Sequence, residues 1–204
     1  MLTADDDLNT LTVGGHYLFF GNSIPQNAPT GLIDWTAYVI ENLPYNELVT
    51  AQILHIIVPD LTYGYGKYSN CSLRRTRYGD TYTPWAWINP PMELGVEYMT
   101  TEHHLGKPVY CKLIDCGAVP DVNTNKTIGF SCPGISRIIS WTGNVDIGGN
   151  TFALPYHEIG RKVNNASIYV FVNYTGITLR TDDQWFAENG GTAQCTIWYT
   201  KTVN

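Results

Sequence analysis

The sequence is poor in charge, in helical periodicity and in long apolar runs, and each shortage removes a class of function. Only 15% of the 204 residues are charged, and the balance is acidic, with a formal net charge of −6. Affinity for phosphate backbones comes from Lys and Arg, so a net-acidic chain whose one basic cluster is Arg74, Arg75 and Arg77 is not expected to bind nucleic acid. No apolar run reaches the roughly 18–20 residues that a membrane-spanning helix needs. The longest, Ile53 to Val58, is interrupted by His55, and membrane insertion is not expected. The first residues, Met1 to Asp7, are acidic and lack the basic and apolar regions of a secretory signal, so export by lysis is the expectation. The five cysteines, Cys71, Cys111, Cys116, Cys132 and Cys195, are odd in number and contain no CxxC pair. They read as buried thiols of a protein made in a reducing cytoplasm.

Catalytic and metal signatures are also missing. There is no GxSxG elbow, no phosphate-binding loop and no HxH or HExxH spacing. Adjacent His103 and His104 point to opposite faces of an extended strand and do not chelate one ion together, so they read as surface residues of a linker. His157–Glu158 is equally weak. No catalytic residue, metal or cofactor is expected. Hydrolysis of a glycan needs two carboxyl groups about 5–9.5 Å apart across a cleft, and Asp115, Asp146, Asp182 and Glu188 are the residues to inspect.

What is present is apolar and aromatic: 44% of residues are hydrophobic, 13% are aromatic, and 19 are glycine, which marks a folded chain with a sizeable core. Short alternating runs, separated by Gly, Pro, Asn and Asp, predict strands at His16–Phe20, Ala51–Val58, Val109–Asp115, Ser167–Tyr174, Ile177–Arg180 and Ala193–Lys201. Cys195 alternates with Ala193, Ile197 and Tyr199 and is placed on a core face. The best helical candidate is Asp34 to Asn42, against its own β-branched and aromatic content. The fold class is therefore all-β, mainly antiparallel, as two small sandwich- or barrel-like domains. Asn89-Pro90-Pro91 sets the boundary, with domains over 1–90 and 91–204. Trp85 and Trp87 share one strand face and read as core or contact residues.

Particular stretches resemble a known family. Asp7-Leu8-Asn9-Thr10-Leu11-Thr12, Gly15-His16-Tyr17-Leu18-Phe19, Asn27-Ala28-Pro29-Thr30-Gly31 and Ala51-Gln52-Ile53-Leu54 stand in order ahead of the closing run Arg75 to Trp87. Together they resemble the knob domains of phage and R-type pyocin tail fibres. Gly106-Lys107-Pro108-Val109-Tyr110, Asp115-Cys116-Gly117-Ala118-Val119-Pro120, Gly134-Ile135-Ser136, Leu154-Pro155-Tyr156 and Ile197 to Lys201 are similar to a C-terminal β-sandwich-like fibre-tip domain of phage and prophage tail fibres. The aromatic-rich stretch Ile33 to Leu48 and the loop Thr181 to Gly191 depart from the pattern. The resemblance implies a homotrimer attached to the rest of a fibre shaft, carried on a virion, that recognises a bacterial cell-surface receptor. A structural trimerising cap or decoration fibre, and a polysaccharide depolymerase, are the alternatives.

Two stretches are candidate glycan sites. Tyr63, Tyr65 and Tyr68 stand among glycines; aromatic faces stack on sugar rings, although the same tyrosines suit an inter-subunit groove. Asp182, Asp183 and Gln184 offer polar groups beside Trp185 as a platform, although an ordinary loop with a buried Trp reads equally well.

Overall fold

Alternation of apolar and polar residues decides the architecture. The computed structural model describes residues 1–32, 36–57, 68, 70–158, 166–182 and 185–202, and nearly all its regular structure is antiparallel strand. The chain divides into two compact units, Met1–Pro91 and Met92–Asn204.

In the first unit, β1 (Gly15–Phe20), β2 (Ala37–Pro44), β3 (Val49–Ile57), β4 (Ser72–Tyr78) and β6 (Ala86–Asn89) form an antiparallel meander, with the short β5 (Thr81–Tyr82) hairpinned onto β4. The helical expectation for Asp34 to Asn42 is overturned, since the chain from Ala37 is strand. Tyr38, Ile40 and Asn42 are buried at every second position, and that period of two outweighs helix propensity. One sheet face buries Phe19, Tyr38, Ile40, Leu54, Ile56 and Leu73 with Leu2 and Leu8 from the N-terminal segment, and Tyr68, Trp85 and Trp87 pack against them.

The N-terminal segment is held by a buried polar row. Asn42, Gln52 and Arg75 are direct neighbours across β2, β3 and β4. Arg75 Nε donates to Gln52 Oε1 at 2.8 Å, and Gln52 Nε2 donates to Asn42 Oδ1 at 3.0 Å and to the Leu8 carbonyl at 2.7 Å. Asn42 Nδ2 donates to the carbonyls of Leu11 and Val13 at 3.1 and 2.8 Å. Backbone carbonyls that no strand pairs are thereby satisfied. The Arg75 guanidinium lies 4.1 Å from the Tyr82 ring centre and 4.6 Å from that of Trp85, and burial lowers its pKa from 12.5 to about 10.

The second unit is a sandwich. One sheet runs in the order β7 (Glu97–His104), β8 (Lys107–Ala118), β15 (Thr192–Lys201), β10 (Ile135–Ile147) and β11 (Asn150–Leu154). The other runs β12 (Tyr156–Glu158), β13 (Ala166–Val172), β14 (Gly176–Thr181) and β9 (Asn125–Gly129). Their facing sides share one core, which includes Ile114, Val145, Ile147, Ile168, Ile177, Leu179 and Ile197. A single turn, α1 (Trp185–Glu188), adds Phe186 to it. β15 is flanked on both sides, and its inward residues Ala193, Cys195, Ile197 and Tyr199 are fully buried. All five cysteines are buried free thiols. No helix among the described residues is long and apolar enough to cross a membrane.

Candidate ligand-binding groove

The outer face of the five-stranded sheet carries two adjoining grooves, and three irregularities in strand pairing shape them. In β10, Ile135 pairs with Lys201 but Arg137 with Thr200, and Ile138 pairs with Tyr199 but Ser140 with Trp198. Ser136 and Ile139 are thus extra residues with no partner on β15. Each bulge resets the alternation of side chains. Ile135, Ile138 and Trp141 all turn to the core at a spacing of three, which leaves Arg137 and Ser140 exposed. In β7 the register shifts between Met99 and His103. There Thr100 Oγ1 donates to the Val109 carbonyl at 3.0 Å, and the Glu102 amide donates to Thr100 Oγ1 at 3.3 Å.

β7 and β8 are joined by a two-residue turn, Leu105–Gly106, with φ of +51° and +76°. Positive φ at both positions gives the tight hairpin that sets His104 opposite Lys107.

The first groove, of about 450 Å³, is lined by Glu102, His103, His104, Val109, Ile139, Ser140, Thr142 and Trp198. Trp198 lies on the face opposite to Ile197 and Tyr199 and is half-buried. The second, of about 200 Å³, holds His104, Lys107, Ser136, Arg137, Tyr174 and Thr200 among its lining. His104 belongs to both, and its Nε2 is enclosed without a hydrogen-bond partner. Lys107 Nζ reaches Ser136 Oγ at 3.4 Å, and neither Lys107 nor Arg137 forms an ion pair among the described residues. Beside Trp198, its cross-strand partner Cys111 is buried against Met92, with sulfurs 3.8 Å apart. Burial first, then the charges of Glu102 and Glu97, push the Cys111 thiol up to about 11. An aromatic face, hydroxyls, an imidazole and two uncompensated cations together suit a polar, ring-shaped ligand.

The residues singled out from the sequence fall elsewhere. Tyr63, Tyr65, Asp183 and Gln184 lie outside the described residues. Tyr68 is partly buried against the core of the first unit. Trp185 packs on the second core, edge-on to Phe186 at 5.5 Å, so its ring is engaged. Asp182 accepts from the Ser167 amide at 2.5 Å and from the Tyr169 hydroxyl at 3.5 Å. Asp115 accepts from the Gly117 amide at 2.8 Å, and Asp146 from Thr151 Oγ1 at 2.5 Å. These three carboxylates each serve a local turn or strand end. His103 and His104, read as linker residues, are instead the end of β7 and line the groove. Trp198, Lys107, Arg137 and Ser140 were missed; the only signal was the Trp198–Tyr199 pair, in which one ring must face away from the core.

One polar row on the first unit has the residue types of a hydrolase. Ser72 Oγ is 3.3 Å from His55 Nδ1, and His55 Nε2 is 3.4 Å from Glu41 Oε2. Both contacts exceed the roughly 2.6–3.2 Å reach of a nucleophile and its base, and His16 competes for Glu41 at 3.9 Å, so we treat the row as cross-strand pairing.

No family description matches the chain, and neither does any curated protein. Two solved structures align with 98% of it. The C-terminal part of the R1 pyocin fibre of P. aeruginosa does so at 10% identity and a TM-score of 0.33, over 67% of that chain. An N-truncated R2-type pyocin tail fibre does so over 96% of its own chain, at 11% identity and a TM-score of 0.31. Likenesses this loose carry no functional argument.

Proposed function

We propose that the chain is a receptor-binding module of a phage-type tail fibre, which holds a bacterial cell-surface glycan in the groove beside Trp198. The observation that carries this reading is that groove: an indole set beside the apolar Val109 and Ile139 and the polar Glu102, His104, Ser140 and Thr142. Stacking and hydroxyl pairing are the two interactions a sugar requires. The ordered motifs of the sequence support the same reading. The module binds without chemistry of its own, as a homotrimer on a fibre shaft of the virion. Exposed aromatic residues on the outer face of the four-stranded sheet, Phe171 at 61% and Tyr169 at 45%, are suited to contacts between copies. Several copies raise avidity by about 10²–10⁴ without new contacts, so a shallow site suffices.

The test is binding of the fluorescently tagged chain to a panel of bacteria and isolated surface polysaccharides, with its solution mass recorded. The expected result is saturable binding by a trimer to particular hosts, weakened about tenfold or more by Trp198→Ala. A well-formed trimer that binds nothing indicates a structural cap instead. Release of reducing ends from the polysaccharide indicates a depolymerase.

A further inference from the structure

The two grooves differ in charge. The first has Glu102 at its wall, whereas the second is lined by Lys107 and Arg137 with no carboxylate in its lining. Lys107 and Arg137 have no acidic partner among the described residues, a condition they share with most of the described Lys and Arg side chains. Such cations are ordinarily either dispersed in solvent or neutralised. Here they stand around one depression with the His104 imidazole, Ser136 and Tyr174, beside a bulge that turns Arg137 outward. Guanidinium and ammonium groups set together in a depression bind planar or tetrahedral oxyanions, and Arg does so through two parallel hydrogen bonds.

We infer that the two grooves are one extended site for an anionic saccharide, with a sugar ring against Trp198 and its carboxylate or phosphate held by Lys107 and Arg137. The inference rests on the adhesion reading and adds the charge class of the ligand and its direction. Glu102 accepts hydroxyl protons at the Trp198 end and repels an anion there, so the charged group is directed to the Lys107 end. His104, common to both grooves, has an unsatisfied ring nitrogen at the junction. A neutral saccharide occupies the first groove and leaves Lys107 and Arg137 unpaired. Discrimination therefore arises in the second groove.

The experiment uses the full chain on an array carrying uronic-acid oligosaccharides, their carboxyl-reduced forms, phosphorylated oligosaccharides and their dephosphorylated forms. The uronate and phosphate arms separate the two sources of negative charge. The expected result is preference for the charged member of one matched pair, reduced as NaCl is raised from 50 to 500 mM. Arg137→Gln and Lys107→Gln are expected to weaken that binding by about tenfold each and so to remove the preference for the charged member over the neutral one. Arg137 is exposed, so its replacement does not threaten the fold. Trp198→Ala is expected to weaken binding of both members. Equal binding of charged and neutral forms, unaffected by Arg137→Gln, overturns the inference and leaves the adhesion reading standing. Binding to whole cells with none to any arrayed saccharide does the same. Binding to neither cells nor saccharides overturns both.

Discussion

Arg75 is the residue whose environment is most specific. It is 5% exposed, lies against two aromatic rings and gives its Nε hydrogen to Gln52. A lysine has neither the plane to lie against Tyr82 and Trp85 nor the fork to reach Gln52, so the position is not interchangeable between cations. Through Gln52 and Asn42 the same residue orders the backbone from Leu8 to Val13. Cys111 shows the opposite use of burial, in keeping a group neutral. Its thiol pKa is raised in the folded chain from 9.0 to about 11, so in that interval the unfolded chain binds fewer protons than the folded one. Its contribution to stability is complete below pH 9 and is lost as pH rises through about 11. Tyr199, pushed up by burial and by its contacts with Cys132 and Glu97, acts in the same direction at higher pH. The expected outcome is a urea midpoint that falls between pH 9 and 11, with a shallower fall in Cys111→Ala; identical slopes in the two proteins would contradict the assignment.

Individual strands differ in how openly the sequence declares them. β15 is legible because Ala193, Cys195, Ile197 and Tyr199 alternate without interruption between two flanking strands. β10 is not, because strict alternation from Ile135 assigns Arg137 and Ile139 to the core. The bulges that deliver Ile138 there instead, and return Trp141 to it, depend on pairing with β15, which is distant in sequence. For the same reason the groove could not be read from spacing, whereas the carboxylates Asp115, Asp146, Asp182 and Glu188 and the Thr181–Gly191 loop attracted notice for composition alone. Trp185 and Phe186 are adjacent, and a four-residue helical turn lets both rings pack inward, where a loop would expose one. The β7–β8 turn allows a direct check. Leu105 has φ of +51° and is 81% exposed, so its side chain incurs the left-handed cost with little packing in return. Leu105→Asn is expected to raise stability by about 0.5–1 kcal/mol in urea unfolding; an unchanged or lower midpoint would show that Leu105 makes an apolar contact worth keeping.

For the whole molecule, the all-β class followed from alternation and turn residues alone, because neither depends on knowing which strands meet. Each unit has its own buried cluster, one around Tyr38 and Leu54, the other around Ile177 and Ile197. A chain segment with its own core meets the first condition for folding alone. Residues 92–204, expressed separately, are therefore expected to give a strand-type circular dichroism spectrum and one cooperative thermal transition. A spectrum of disordered chain would mean that the second core needs the first unit.

The bulges of β10 also bear on how readily this surface changes. Ser136 and Ile139 have no partner on β15, so exchanging them or their exposed neighbours Arg137 and Ser140 alters the groove while the ladder between the two strands stays intact. The residues that shape the proposed ligand groove are thus separate from the pairing that holds the two strands together. Under the adhesion proposal, a combinatorial library at these four positions is where new host preferences should emerge with the fewest misfolded members.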